Sequence, residues 1–288
     1  MNRHSVALLM TICVVSLLAS SLSHAVVFGD FELSHAAVYG DFEYRDNGTT
    51  ITITGYKGTG GDIIIPETID GKPVTEIGSE AFDKKVIDPS TLTLPSTLTT
   101  IGELAFESCS GFTGTLALPS TLTEIGISAF FGCSGFTGSL VIPEGVTIIK
   151  GGAFGYCRGF NGPLTLSSTL KEIGEVAFWG CIGFTGTLVI PDEVTTIGGS
   201  AFWGCIGFTG SVVIPEGVTW IGGGAFFGCS GISKAVFLGN APTDMGEEVF
   251  IDTAKGFFVV CGPESTGFTF PEWQGYPCKR ETVEGAGM

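Results

Sequence analysis

The sequence predicts a repeat solenoid of β-rich coils of about 24 residues, which contain short strands, turns and short helical segments. Three landmarks recur along the chain with this spacing: a proline, the dipeptide Ala-Phe and a cysteine. The prolines are Pro95, Pro119, Pro143, Pro191 and Pro215, with Ser167 in the one remaining slot. A strict period in this range indicates stacked repeats, because one unit cannot bury its own apolar side chains.

Positions within a unit are counted from the proline, which is position 0. Apolar residues recur at positions 3, 6, 10, 11, 14 and 17, and this spacing never settles on the 3.6-residue helical period. The alternation at Leu116 and Leu118 is typical of a short strand. Gly102 and Gly114 are expected to mark tight turns. Equivalent residues of stacked coils should therefore form internal ladders, with strands about 4.8 Å apart.

Residues 1–25 are predicted to be a secretory signal peptide. A polar start with Arg3 and His4 precedes the apolar run Val6–Ala19, and Ser23-His-Ala25 has the small residues of a cleavage site. The apolar run is too short for a membrane span. The mature chain is therefore predicted to be secreted or extracellular at the cell surface, without a membrane span of its own.

Three segments are predicted to follow the signal peptide. Residues 26–65 form an N-terminal capping hairpin, in which Val38–Glu43 duplicates the pattern of Val27–Glu32. Residues 66–253 contain the repeats and form the solenoid. Residues 254–288 form a C-terminal cap and a polar tail.

The repeated phrase LxIPxxVTxIGxxAFxxCxxF resembles the BspA-like leucine-rich repeat family, over roughly residues 41–278. Its strand segment is seen in units such as Phe136–Pro143. The resemblance implies a leucine-rich-repeat-like solenoid with capping elements at both ends. It also implies a secreted or surface protein that attaches to host proteins, matrix or other cells.

The net charge of −16 argues against nucleic acid or an anionic membrane as a partner. An extracellular protein or glycan partner is expected instead. Six of the nine cysteines form a column at position 14, where buried free thiols acting as small apolar residues are expected. In this exported context, Cys261 and Cys278 are predicted to form a disulfide that clamps the C-terminal cap.

The sequence predicts no enzyme, no cofactor and no metal site. Its three histidines are His4, His24 and His35, and the first two leave with the signal peptide. A nucleophile activated by histidine would need His35, which lies outside the repeats. Glycine-rich matches carry little weight here, because glycine recurs with the period of the fold.

Two columns of side chains are candidates for partner binding. The strand column, at position −2, should be polar on a solvated sheet face, yet most of its members are apolar. A competing interpretation is that β-branched residues simply suit strands. The strand column comprises Ile64, Thr93, Ala117, Val141, Thr165, Val189, Val213 and Phe237.

The aromatic column, at position 12, comprises Phe131, Trp179, Trp203 and Phe227. Aromatic rings one coil apart could anchor a protein partner or stack on sugars. The competing interpretation is packing between adjacent coils, since large aromatic side chains are mainly buried.

Three functions fit these features. The first is a secreted or surface leucine-rich repeat protein that acts as a protein-binding or adhesion module. The second is a carbohydrate-binding module that uses the aromatic column. The third is a non-catalytic structural component of a surface, which would self-associate through the strand column.

Overall fold

Each 24-residue unit folds as one coil, and successive coils stack in register. The computed structural model describes residues 37–84, 86 and 88–282, which form a β-solenoid of about nine coils. This confirms the predicted fold. The predicted signal peptide, the duplicated segment Val27–Glu32, His35 and residues 283–288 of the predicted tail lie outside the described residues.

The strands are short and follow the repeat. In chain order they are β1 (Ala37–Tyr39), β2 (Phe42–Asp46), β3 (Ile51–Tyr56), β4 (Asp62–Ile64), β5 (Thr68–Ile69), β6 (Lys72–Ile77), β7 (Thr91–Thr93), β8 (Thr100–Ile101), β9 (Glu124–Ile125), β10 (Leu140–Val141), β11 (Ile148–Ile149), β12 (Leu164–Thr165), β13 (Glu172–Ile173), β14 (Thr196–Ile197), β15 (Gly210–Ile214), β16 (Trp220–Ile221), β17 (Ile232–Phe237), β18 (Asp244–Met245), β19 (Phe258–Cys261), β20 (Glu272–Trp273) and β21 (Tyr276–Arg280).

The coils pair through two sets of parallel strands. At positions 5 and 6, β6, β8 and β9 pair in one sheet, and β11, β13, β14, β16 and β18 pair in another. At the end of each unit, β4 pairs with β7, β10 with β12, and β15, β17, β19 and β21 pair in order. The register joins equivalent residues, as in Ile77↔Ile101 and Ile173↔Ile197. The 24-residue period of the sequence is thus the period of the hydrogen-bond ladder.

Two stacks of phenylalanine rings run through the core. At position 11, Phe130 and Phe154 lie 5.4 Å apart between ring centroids, with only 5° between their planes. At position 17, Phe112 and Phe136 stack at 5.2 Å. The two stacks meet edge to face, as in Phe106 with Phe112 at 5.9 Å. Each such pair contributes about 0.5–1.5 kcal/mol beyond its buried area, so the stacks lock adjacent coils together.

The Ala-Phe segments contain no helix in the described part of the chain, contrary to the expected short helical segments. They are consecutive turns with a left-handed residue at every fourth position. Positions 9 and 13 have a positive φ, for example 52° at Val176 and 68° at Gly180. The N–H groups at positions 9, 11 and 13 therefore donate to the following coil, as from Phe106 N to Ala129 O at 2.8 Å. A helix would have used these donors within the coil.

Position 16 is glycine because the backbone of the preceding coil lies against it. A β-carbon on Gly183 would collide with the carbonyl oxygen of Phe160, and one on Gly207 with that of Phe184. Gly102 also needs close approach rather than the predicted tight turn: its φ is not positive, and a β-carbon would lie 2.7 Å from Ser79 N.

Both ends of the stack carry antiparallel strands. β1, β2 and β3 pair antiparallel, and β3 then pairs in parallel with β6 of the first repeat. At the other end, β20 and β21 form an antiparallel pair. The phenolic oxygen of Tyr276 accepts a 3.0 Å hydrogen bond from Phe250 N, which is a position-11 donor with no following coil.

Within the ranges 37–84, 86 and 88–282, no helix combines the length and apolar character required to cross a membrane.

Candidate functional site

The four residues of the aromatic column are half-buried on the turns of four coils, and Gly155 occupies the same position in the coil between Phe131 and Trp179. The ring of Phe131 leans over Gly155 of the next coil, where a β-carbon would lie 2.7 Å from the ring. The ring of Trp203 leans in the same way over Gly224, with a corresponding distance of 3.1 Å. Each ring therefore packs against a neighbouring glycine and keeps part of its surface exposed to solvent.

Tyr156 belongs to the same surface, although the sequence analysis did not select it. It occupies position 13, where its positive φ of 59° directs the side chain outward. Its ring lies 5.6 Å from that of Phe131 and meets Trp179 edge to face at 4.5 Å. The neighbouring coils have glycine at position 13. The single tyrosine in this column was therefore the sign in the sequence that Tyr156 could belong to a binding surface.

The aromatic column continues beyond Trp179 into the next two coils. The rings of Trp203 and Phe227 stack at 4.2 Å with 23° between their planes. The backbones of the adjacent coils are bonded beside them, from Gly180 N to Trp203 O at 2.8 Å. Aromatic side chains therefore cover the turns of five consecutive coils.

Position 15 adds exposed isoleucines beside the rings. Ile182 is 41% exposed and Ile206 is 51% exposed. Together with the rings they make a continuous apolar surface, the aromatic face, which is formed by Phe131, Tyr156, Trp179, Ile182, Trp203, Ile206 and Phe227. The guanidinium carbon of Arg158 lies 4.5 Å from the centre of the Tyr156 ring, at the N-terminal side of this face.

A strip of glycines at position 8 borders the aromatic face. Gly151, Gly199 and Gly223 leave the backbone uncovered there, and Glu175 is the charged residue at the same position in the coil of Trp179. The carboxylate of Glu175 extends along the strip, with Oε1 3.9 Å from the point that a β-carbon of Gly199 would occupy. An exposed carboxylate thus reaches Gly199, in the coil of Trp203.

The strand column is exposed from Ile64 to Val189 and half-buried at its C-terminal end. Ile64, Val141 and Val189 are 63%, 53% and 58% exposed, whereas Val213 is half-buried. Phe237 was wrongly placed in this column. It is 1% exposed and pairs with Ile214, because a register shift makes the preceding coil one residue shorter.

Val236 takes the position in the strand column that had been assigned to Phe237, and it pairs with Val213. Phe237 packs instead in the C-terminal cap, with its ring 5.4 Å from those of Phe268 and Trp273.

The six position-14 cysteines are fully buried. Their thiols do not act only as small apolar groups. Each thiol donates a hydrogen bond to the carbonyl oxygen at position 11 of the preceding coil, as from Cys181 Sγ to Phe154 O at 3.0 Å. Burial raises the pKa of Cys181 to about 12, and it raises the pKa of Cys157 well above its ordinary value. A thiol that stays protonated and inaccessible is unsuited to nucleophilic chemistry.

Cys261 and Cys278 are free in the structure. They lie on the paired strands β19 and β21, but Cys278 is opposite Val259 and Cys261 is opposite Arg280. A two-residue offset between adjacent strands separates the α-carbons by about 8 Å, beyond the usual range for a disulfide. The disulfide stays a prediction, and it would require the strands to shift.

The described residues hold no histidine and no cluster of metal-binding side chains. His4, His24 and His35 all lie outside the described residues. Over the described ranges, no group of three or more histidine, cysteine, aspartate or glutamate side chains is arranged to hold a metal ion.

Stacked coils of 24 residues with internal apolar ladders define a leucine-rich repeat protein. The family model of the BspA type leucine rich repeat region matches six copies in this chain, over residues 75–205 and 137–256. The chain therefore belongs to the BspA-type leucine-rich repeat family, as its repeated phrase predicted.

Three solved structures are similar to this chain. A leucine rich repeat protein of T. pallidum is 29% identical over 75% of this chain and 88% of its own, with a TM-score of 0.48. A leucine rich cell surface protein of Faecalibacterium prausnitzii is 25% identical over 78% and 75%, with a TM-score of 0.48. A leucine-rich repeat protein of Bacteroides ovatus is 22% identical over 80% and 62%, with a TM-score of 0.49. No curated protein matches the chain.

Proposed function

We propose that the chain is a secreted or cell-surface protein that acts as a non-catalytic protein-binding or adhesion module, and that the aromatic face is its docking surface. One observation carries this proposal: half-buried rings and exposed isoleucines continue over the turns of five consecutive coils. Contiguous exposed apolar surface of this kind marks interaction sites. Aromatic residues are enriched at protein interfaces, and they make up most of this face.

The packing of the rings favours a protein partner over a glycan. A sugar stacks on the open face of an aromatic ring. One face of Trp203 is taken by Phe227 at 4.2 Å, and Tyr156 packs against Trp179 at 4.5 Å. This surface exposes the edges of the rings together with the flanking Ile182 and Ile206. Apolar side chains of a protein can pack against such a surface.

The sequence features that predict export also support the proposal. Residues 1–25 have the features of a signal peptide, and a net charge of −16 suits a soluble protein outside the cell.

The proposal is tested with a panel of purified extracellular matrix proteins and a glycan array, probed with the chain from Val26 onward. Bound partners are then compared between the parent protein and the Trp179→Ala/Trp203→Ala variant. Trp220→Ala is the matched control, because Trp220 is 37% exposed on a different face, at position 5. We expect the double variant to weaken binding of a matrix protein at least tenfold and the control to leave it within twofold.

Three other results would support a different function or a different binding site. Binding of a glycan rather than a protein, lost in the same double variant, would establish the carbohydrate-binding alternative. Binding that survives the double variant but fails in Val141→Ser/Val189→Ser would place the site on the strand column. Concentration-dependent self-association abolished by that second variant would support a structural surface component.

A further inference from the structure

We propose that the partner of the aromatic face is a basic protein segment, whose arginine or lysine side chains lie over the C-terminal half of the face, beside Glu175. This inference rests on the proposed function, and it adds the chemistry of the partner. Its basis is the distribution of charge around Trp179, Trp203 and Phe227.

The C-terminal half of the aromatic face is bordered by carboxylates. Glu175 lies along the glycine strip beside the coil of Trp203. Glu247, Glu248 and Asp252 are all exposed in the coil that follows Phe227.

Basic residues near the face do not balance these carboxylates. The ammonium group of Lys150 is paired with Glu124 of the preceding coil. Arg158 lies over Tyr156, at the opposite, N-terminal side of the face. Lys255 is the cation of the coil that follows Phe227, and the three carboxylates of that coil outnumber it. The charge beside Trp203 and Phe227 is therefore negative, like that of the whole chain, whose net charge is −16.

A basic side chain at this place gains two favourable interactions. It pairs with Glu175, and its aliphatic stem packs against the half-buried rings. The glycine strip admits it, because Gly199 and Gly223 have no side chains to displace. Apolar residues of the same segment then cover Ile182 and Ile206, whose exposure is otherwise costly.

The experiment uses two synthetic amphipathic peptides, one of leucine and arginine and one in which every arginine is replaced by glutamate. Binding to the mature chain is followed by fluorescence anisotropy at low and at physiological salt. We expect the arginine peptide to bind at least tenfold more tightly than the glutamate peptide. We also expect added salt to weaken its binding, because exposed charges are screened.

Matched variants locate the binding. Glu175→Gln should weaken the arginine peptide about two- to fivefold, as expected for loss of one exposed ion pair. Glu193→Gln removes the same charge from an exposed position outside the aromatic face and should change binding by less than about 1.5-fold. Trp203→Ala should weaken binding about tenfold, and Trp220→Ala should not.

Three outcomes overturn the inference: equal affinity for both peptides, equal effects of Glu175→Gln and Glu193→Gln, or no binding of either peptide at about 1 mM. The first of these separates it from the proposed function. If both peptides bind equally and both are lost in Trp203→Ala, the aromatic face is a docking surface without a preference for basic partners.

Discussion

At the scale of single residues, the turn segments impose an unusual demand. Positions 9 and 13 of each coil need a left-handed backbone, which glycine adopts freely and other residues adopt at a cost. Gly152 and Gly224 meet this demand at position 9, but Val176 does not, and its φ is 52°. A β-branched residue in this conformation is a genuine outlier, so Val176 should be a site of local strain.

We therefore predict that Val176→Gly stabilises the protein, by about 1 kcal/mol, because relief of the left-handed strain exceeds the entropy cost of glycine. The matched control is Val189→Gly, where the same side chain is removed from a position without a positive φ. That control should lower the free energy of unfolding by about 0.5–1 kcal/mol. Urea unfolding followed by tryptophan fluorescence measures the free energy of unfolding of both variants. Changes of the same sign in the two variants would contradict the prediction.

At the scale of the coil, glycine serves a second purpose that has nothing to do with φ. The position-16 column lets the backbone of one coil lie directly against the next, and Gly183 is typical of it. Since the stacked strands set the spacing between coils, the neighbour cannot retreat without breaking hydrogen bonds on both sides.

Gly183→Ala should consequently destabilise the protein by about 3 kcal/mol or more, through collision with the carbonyl oxygen of Phe160. Gly217→Ala provides the control, because a β-carbon there would be 3.5 Å from the nearest atom and its φ is not positive. That change should be neutral or slightly stabilising. Thermal unfolding of the two variants tests the prediction. Similar decreases in melting temperature would mean that glycine is needed for a reason other than close approach.

The sequence predicted most of the coil and missed part of its turn. The period, the inward positions and the parallel ladders followed from residues such as Ile101 and Phe106, because burial repeats with the period. The left-handed turns could not be predicted from the sequence, because Leu104 and Val176 adopt a left-handed backbone that leucine and valine do not indicate. Phe237 was misplaced because a one-residue shortening of a coil shifts every later side chain to the other face of the strand.

The candidate site was only partly predictable for a related reason. The aromatic column could be found from its period, but contacts between columns depend on the turn geometry. Tyr156 joins the aromatic face through a left-handed backbone at position 13, and the glycines at that position in the neighbouring coils were the indirect sign of it in the sequence.

At the scale of the whole molecule, the cysteine column couples stability to pH. Burial raises the pKa of five of its thiols, to about 12 for Cys181 and Cys229. The unfolded chain releases these protons near the ordinary value of 9.0, whereas the folded chain holds them. The stabilisation is therefore complete below pH 9.0 and is lost as the pH rises toward 12.

We predict a fall in the free energy of unfolding above pH 9.0, with each buried thiol contributing about 1.4 kcal/mol per pH unit. Cys181→Ser should reduce the slope by that amount, because serine does not ionise in this range and its hydroxyl can still donate to Phe154 O. The slope is obtained from urea unfolding at several alkaline pH values. An unchanged slope in the variant would show that the thiols do not control alkaline unfolding.

The register of the stack has a consequence for the length of the chain. Equivalent residues pair from coil to coil, as the pairing of Ile173 with Ile197 and of Ile197 with Ile221 shows. Gain or loss of one whole 24-residue coil would therefore keep the remaining ladders in register and leave both ends of the stack unaltered. The aromatic face would change its length in single-coil steps, without any substitution in the core.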